Sequence, residues 1–174
     1  MTPSNPDAGS PVSQGSSTAG VTSAVERRLQ DLGITLPEVP APVAAYVPAV
    51  VSGNYVYTSG QLPFVNGELA ATGKVGADVD PETAKKLAAT CAVNALAAVK
   101  TQIGDLDRLR RVVKVVGFVS SDPGFTGQPA VINGASELLG EVLGDAGVHA
   151  RSAVGVAVLP MDAPVEVELI AEYD

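Results

Sequence analysis

Residues 112–119 read VVKVVGFV, a β-branched and apolar stretch interrupted only by Lys114 and Gly117. A strand with apolar side chains on both faces is stable only inside a sheet, with partners along both edges and other layers over its faces. The rest of the chain must therefore supply neighbouring strands and covering helices. With 174 residues and 46% hydrophobic content it is long enough to do so without disulfides or metals.

The flanking segments divide cleanly by period. Residues 24–32 (AVERRLQDL) form a short amphipathic helix, with Val25, Leu29 and Leu32 on one side and Gly33 as its stop. The Pro-rich LPEVPAP follows as an extended connector. AYVPAVVSGNYVYTSG reads as a hairpin turning at Ser52-Gly53-Asn54. Residues 62–79 read as a Gly-bearing loop. Asp80 suits an N-cap and Pro81 a first helical position. Apolar residues then recur at Ala84, Leu87, Cys91, Ala95, Leu96, Val99 and Ile103, up to Gly104. A second helix covers about 129–143, burying Val131, Ile132, Ala135, Leu138, Leu139 and Val142. Two strands, 151–158 and 165–171, close the chain, joined by LPMDAP. The order strand, strand, helix, strand, helix, strand, strand predicts an α+β fold: one mixed sheet with its two main helices on a single face. Residues 1–22 are Ser/Gly/Pro/Thr-rich without apolar periodicity, so they are expected to be a disordered tail ahead of one domain over 23–174.

Several chemistries are excluded by what is scarce. Cys91 is the only cysteine and His149 the only histidine, which rules out an intrachain disulfide and an ordinary structural zinc site. Cys91 lies on the helical apolar stripe and reads as a core thiol. The net charge of −8 and pI near 4.5 disfavour nucleic acid as a partner. The one basic run, Arg108, Arg110, Arg111 and Lys114, reads as a solvated turn and strand edge. No apolar run is long enough to span a bilayer, and the start does not read as a secretory signal, so a cytoplasmic protein is expected.

Alternation in RSAVGVAV puts Arg151, Ala153, Gly155 and Ala157 on one face and Ser152, Val154, Val156 and Val158 on the other. The second set reads as a core stripe. The first is a charge followed by very small residues, which leaves room for a neighbouring chain or a ligand. Glu166 and Glu168 share a face of the last strand. If the two strands pair, the plain alternative is a cross-strand Arg–Glu contact of little energetic consequence.

YVPAVVSGNYVYTSGQLP, FTGQPAVINGASELLGEVLG and HARSAVGVAVLPMDAPVEVELIA together resemble the Rid/YjgF family of reactive-intermediate deaminases over about residues 40–174. The resemblance implies a chorismate-mutase-like fold assembled as a homotrimer with sites between subunits. It implies that Arg151 binds a substrate carboxylate and that Glu166 positions water. Tyr46, Ser59 and Asn133 would line the pocket, and the backbone carbonyl of Ala153 would face the substrate's amine side. The implied reaction is hydrolysis of enamines or imines of the 2-aminoacrylate type to 2-oxo acids and ammonia. A planar guanidinium can hold the one permanent charge of a 2-imino acid in a fixed plane. The iminium carbon is already electrophilic and needs an oriented water and a base. No metal, flavin, pyridoxal or other cofactor is required. The alternative is a non-catalytic protein that binds a small carboxylate in the same pocket. Ala153 stands where many members have Cys, and Gly155, in place of a larger residue, is expected to enlarge the pocket.

Overall fold

A computed structural model describes residues 23–39 and 45–174. The expected tail, 1–22, lies outside them. Helix α1 spans Ala24–Asp31, β1 Ala49–Ser52 and β2 Tyr55–Thr58; a small hairpin, β3 Phe64–Val65 and β4 Glu68–Leu69, follows. Helix α2 is Pro81–Ile103, β5 Leu109–Ser120, α3 Gln128–Leu143, β6 Ala150–Val156 and β7 Val165–Tyr173. Five strands form one mixed sheet in the order β1-β2-β7-β5-β6, with β5 and β6 parallel and the other neighbours antiparallel. This is the expected α+β arrangement. No helix among the described residues is long and apolar enough to cross a membrane.

The start signals work as read. The Asp80 carboxylate accepts from the Thr83 amide at 2.9 Å and from its hydroxyl at 2.6 Å, and Pro81 follows at the first position of α2. All seven apolar positions named for α2 are buried. Cys91 is fully buried and desolvation pushes its thiol well above its ordinary pKa, so it packs as a hydrophobe. Helix α1 is capped twice. Ser23 accepts from Glu26, and the Asp107 carboxylate, presented by the turn before β5, accepts from the amides of Ala24 and Val25 at 2.8 and 2.9 Å. The basic run is partly engaged: Arg108 stacks 5.2 Å over the Tyr173 ring and Arg110 pairs with Asp174.

Two expectations about the sheet are corrected. β6 and β7 do not pair: β5, the most apolar strand, lies between them and hydrogen-bonds to both. The faces of β6 are also reversed. Arg151, Ala153 and Gly155 face α3, while Val154, on the helix-free side, is 44% exposed. Close packing is the reason. A Cβ on Gly117 of β5 would sit 2.4 Å from Ile132, and one on Gly155 would sit 2.7 Å from the Gln128 amide nitrogen. The helix lies close over Gly117 and Gly155, so the space expected at Gly155, an exposed position, is narrowed by the Gln128 side chain. The two helices meet just as closely, since a Cβ on Gly134 would lie 1.8 Å from the Lys85 carbonyl oxygen. A third correction concerns 62–79, which contains the β3–β4 hairpin around Asn66-Gly67, both at positive φ.

Candidate active site

The parallel β5–α3–β6 unit sets Arg151 beside the first turns of α3. Its Nη1 donates to Asn133 Oδ1 at 2.8 Å and to Ser136 Oγ at 3.1 Å, and its Nη2 donates to the Pro129 carbonyl at 3.3 Å. Asn133 and Ser136 are one helical turn apart, which places both on the face that meets the arginine. Three of the five guanidinium N–H donors are thereby engaged, leaving two. Every partner is neutral. Among the described residues, no carboxylate is recorded in an ion pair with Arg151. The cross-strand Arg–Glu pair is thus replaced by a neutral cradle that holds the cation and leaves its charge uncompensated. Ala153 follows on the same face, partly buried against the core.

Glu166 belongs to a different surface. It projects from β7 on the helix-free face, in register with Phe118 of β5. Arg151 is in register with Val115. Two strand spacings and three residues of offset separate the two Cα atoms by roughly 14 Å, with the side chains on opposite faces. Desolvation raises the Glu166 carboxyl above its ordinary pKa, and Glu168 on the same face adds to the shift. Its carboxylate lies directly on Gly60, where a Cβ would come within 1.7 Å of Oε1. Gly60 is held there because the next residue, Gln61, exchanges backbone hydrogen bonds with Val167 at 2.8 and 3.0 Å. Ser59, just before it, donates through Oγ to the Val47 carbonyl at 2.7 Å. Tyr46, adjoining Val47, is 69% exposed.

The six residues named from the sequence thus fall into two groups. Arg151, Asn133 and Ala153 cluster beside α3. Ser59 and Glu166 converge around Gly60, with Tyr46 at the margin. Among the described residues of a single chain, nothing joins the groups. Two further contributors, Ser136 and Gly60, were not singled out from the sequence. Ser136 carried a usable signal, because Asn133 and Ser136 share one helical face within the apolar run of α3. Gly60 carried none, because its contact with Glu166 depends on pairing across more than a hundred residues.

The sheet order, the helices on one face and the arginine cradle define an α+β, chorismate-mutase-like protein. Comparison with known proteins agrees. Residues 26–173 match the family described as "YjgF/chorismate_mutase-like, putative endoribonuclease". Protein TCP17 of Trypanosoma cruzi is 45% identical over 151 residues, covering 86% of this chain and 94% of that protein. The 2-iminobutanoate/2-iminopropanoate deaminase of Escherichia coli K12 is 36% identical over 132 residues, covering 76% and 90%. The crystal structure of Atu1372 from Agrobacterium tumefaciens, of unknown function, superposes with a TM-score of 0.82 at 53% identity, covering 87% and 93%. The chain belongs to the YjgF/Rid family.

Proposed function

We propose that this chain hydrolyses small 2-imino acids, and the enamines that tautomerise to them, to 2-oxo acids and ammonia, as a cytoplasmic homotrimer. The observation that carries the reading is the Arg151 cradle: a half-exposed guanidinium fixed by neutral oxygens, with two donors to spare. A carboxylate supplies the missing charge and accepts two parallel N–H bonds. Carboxylate binding at Arg151 leaves C2 of the imine to be attacked by water. A base is needed there, and Glu166, with its raised pKa, is suited to take a proton from water and return it to nitrogen. The balanced reaction consumes one water and releases one ammonia, with no change of oxidation state. The printed activity of the Escherichia coli relative supports this class of substrate.

Arg151 and Glu166 of one chain point away from each other, so we place the reaction between copies, with Arg151 from one and Glu166 from the next. The helix-free face supports contact between copies. It carries exposed Val50, Tyr57 and Val154 among the acids of β7. The test pairs two variants with imine hydrolysis and ligand titration. Arg151→Lys keeps the charge but loses the planar fork, and is expected to cost 10- to 150-fold in binding and turnover, from about 1.5–3 kcal/mol per charged hydrogen bond. Glu166→Gln is expected to bind and not to turn over. Co-expressing the two inactive chains is expected to restore about a quarter of the sites by random assortment. No recovery would overturn the placement of the site between copies. Binding without turnover in the wild type would favour the carboxylate-binding alternative.

A further inference from the structure

His149 lies two residues before Arg151, and its ring is bonded at both nitrogens. Nδ1 is 2.6 Å from the Gly147 carbonyl and Nε2 is 3.0 Å from Ser136 Oγ. Donor and acceptor roles follow from the chemistry of the partners. A carbonyl oxygen only accepts, so Nδ1 carries the hydrogen. The neutral ring then offers the Nε2 lone pair, and the Ser136 hydroxyl donates to it. That leaves the Ser136 oxygen to accept from Arg151 Nη1 at 3.1 Å. The chain of bonds runs in one direction: Arg151 to Ser136 to His149 to the Gly147 backbone. Each group uses its capacity once. An imidazolium would instead donate at Nε2, so two cations would point at one hydroxyl oxygen.

Asn133 Oδ1 on Nη1 and the Pro129 carbonyl on Nη2, the latter long at 3.3 Å, leave the second Nη1 hydrogen unheld. Ser136 takes that hydrogen and completes the restraint on the guanidinium plane, keeping a lone pair on the arginine while its own hydrogen points away. His149 draws it. We propose that Ser136 and His149 are positioning residues that fix the plane of the Arg151 guanidinium, and so set affinity for the substrate carboxylate. This rests on the reading of Arg151 as the carboxylate anchor. A freely rotating arginine would have to lose rotamer freedom on each binding event, a cost the cradle meets in advance. The effect therefore belongs in KM more than in kcat.

The test uses tag-free full-length protein, in which His149 is the only histidine, so every imidazole signal is its own. The probe is 2-oxobutanoate. Saturating it is expected to shift the imidazole nitrogen resonances in the wild type and not in Ser136→Ala, although Ser136→Ala still binds the probe. Ser136→Ala and His149→Phe are each expected to raise KM for an imine about 3- to 10-fold with kcat changed less than twofold, the worth of one ordinary hydrogen bond. Ser136→Thr, which keeps the hydroxyl, is expected to restore KM. Thermal melts should keep Ser136→Ala close to the wild type, since the helix propensity of alanine offsets part of the lost hydrogen bonding. If the probe binds and Arg151→Lys abolishes binding, but the imidazole does not move and KM is unchanged in both variants, the positioning role is refuted and the anchor stands. If Arg151→Lys binds the probe like the wild type, or the wild type does not bind it, the anchor fails and this inference fails with it.

Discussion

Gly60→Ala separates the placement of Glu166 from the stability of the fold. The added Cβ would lie 1.7 Å from Glu166 Oε1 and 2.7 Å from Cδ. Gly60 is not among the positive-φ glycines, so its backbone accepts alanine. The segment cannot retreat easily, because Gln61 is pinned to Val167 through two backbone bonds. The carboxylate is the part that gives, and it must withdraw by roughly 1.5–2 Å to regain ordinary contact. Forcing a side chain off its rotamer costs about 0.5–1.5 kcal/mol, which lowers the melting temperature by only about 1–6 °C for a chain this size. Turnover is far more sensitive, since a misplacement of about 1 Å can cost on the order of 100-fold. Arg151 is untouched, so 2-oxobutanoate should still bind with wild-type affinity by calorimetry. The assay is ammonia release from a freshly generated imine, with melts and light scattering on the same samples. A folded, assembled Gly60→Ala protein with kcat/KM within twofold of wild type would refute the placement of Glu166 at the reacting water.

Two predictions concern pH. The folded-state pKa of Glu166 is raised by desolvation and then by Glu168. Its contribution is therefore most favourable below the unfolded carboxylate pKa and is lost as pH rises through the folded value. Glu166→Gln should accordingly melt above the wild type at pH 7, with the gap closing below about pH 4; a lower melting point at pH 7 would contradict the burial argument. Asp107 behaves in the opposite way, because hydrogen bonds from the Ala24 and Val25 amides lower its pKa. Its contribution is present above the unfolded value and lost as pH falls through the folded one. Asp107→Asn should cost at most about 1 kcal/mol at pH 7, reduced by the exposure of the site, and nothing at pH 2; paired melts at the two values test it.

The elements of the chain were legible because their signals are local. Asp80-Pro81 announces α2, Ser52-Gly53-Asn54 announces the first turn, and VVKVVGFV announces a strand with two partners. Asn66-Gly67 announced a second hairpin just as plainly, but its strands are two residues each, too short to show alternation. The order of strands was not legible. Adjacent segments 151–158 and 165–171 invite pairing, and only the non-local preference of β5 for two neighbours separates them. The faces of β6 were misjudged because bulk was taken as the mark of burial. β6 is an edge strand with no fully buried residue: its small residues lie where α3 comes close, and the branched Val154 is turned to the helix-free side. Arg151 and Glu166 could be singled out as candidates, but the distance between them was beyond any periodicity to reveal.

The low seat of α3 has a mechanical consequence. Gly134 rests against the Lys85 carbonyl and Gly117 lies under Ile132, so the helix has no room to slide or roll without opening these contacts. Asn133, Ser136 and the Pro129 carbonyl are all carried on that one rigid rod. The guanidinium is thus registered by backbone against backbone, and the polar groups inherit their precision from it. A methyl group at position 134, which touches neither arginine nor ligand, would act as a wedge at the fulcrum and tilt all three acceptors together.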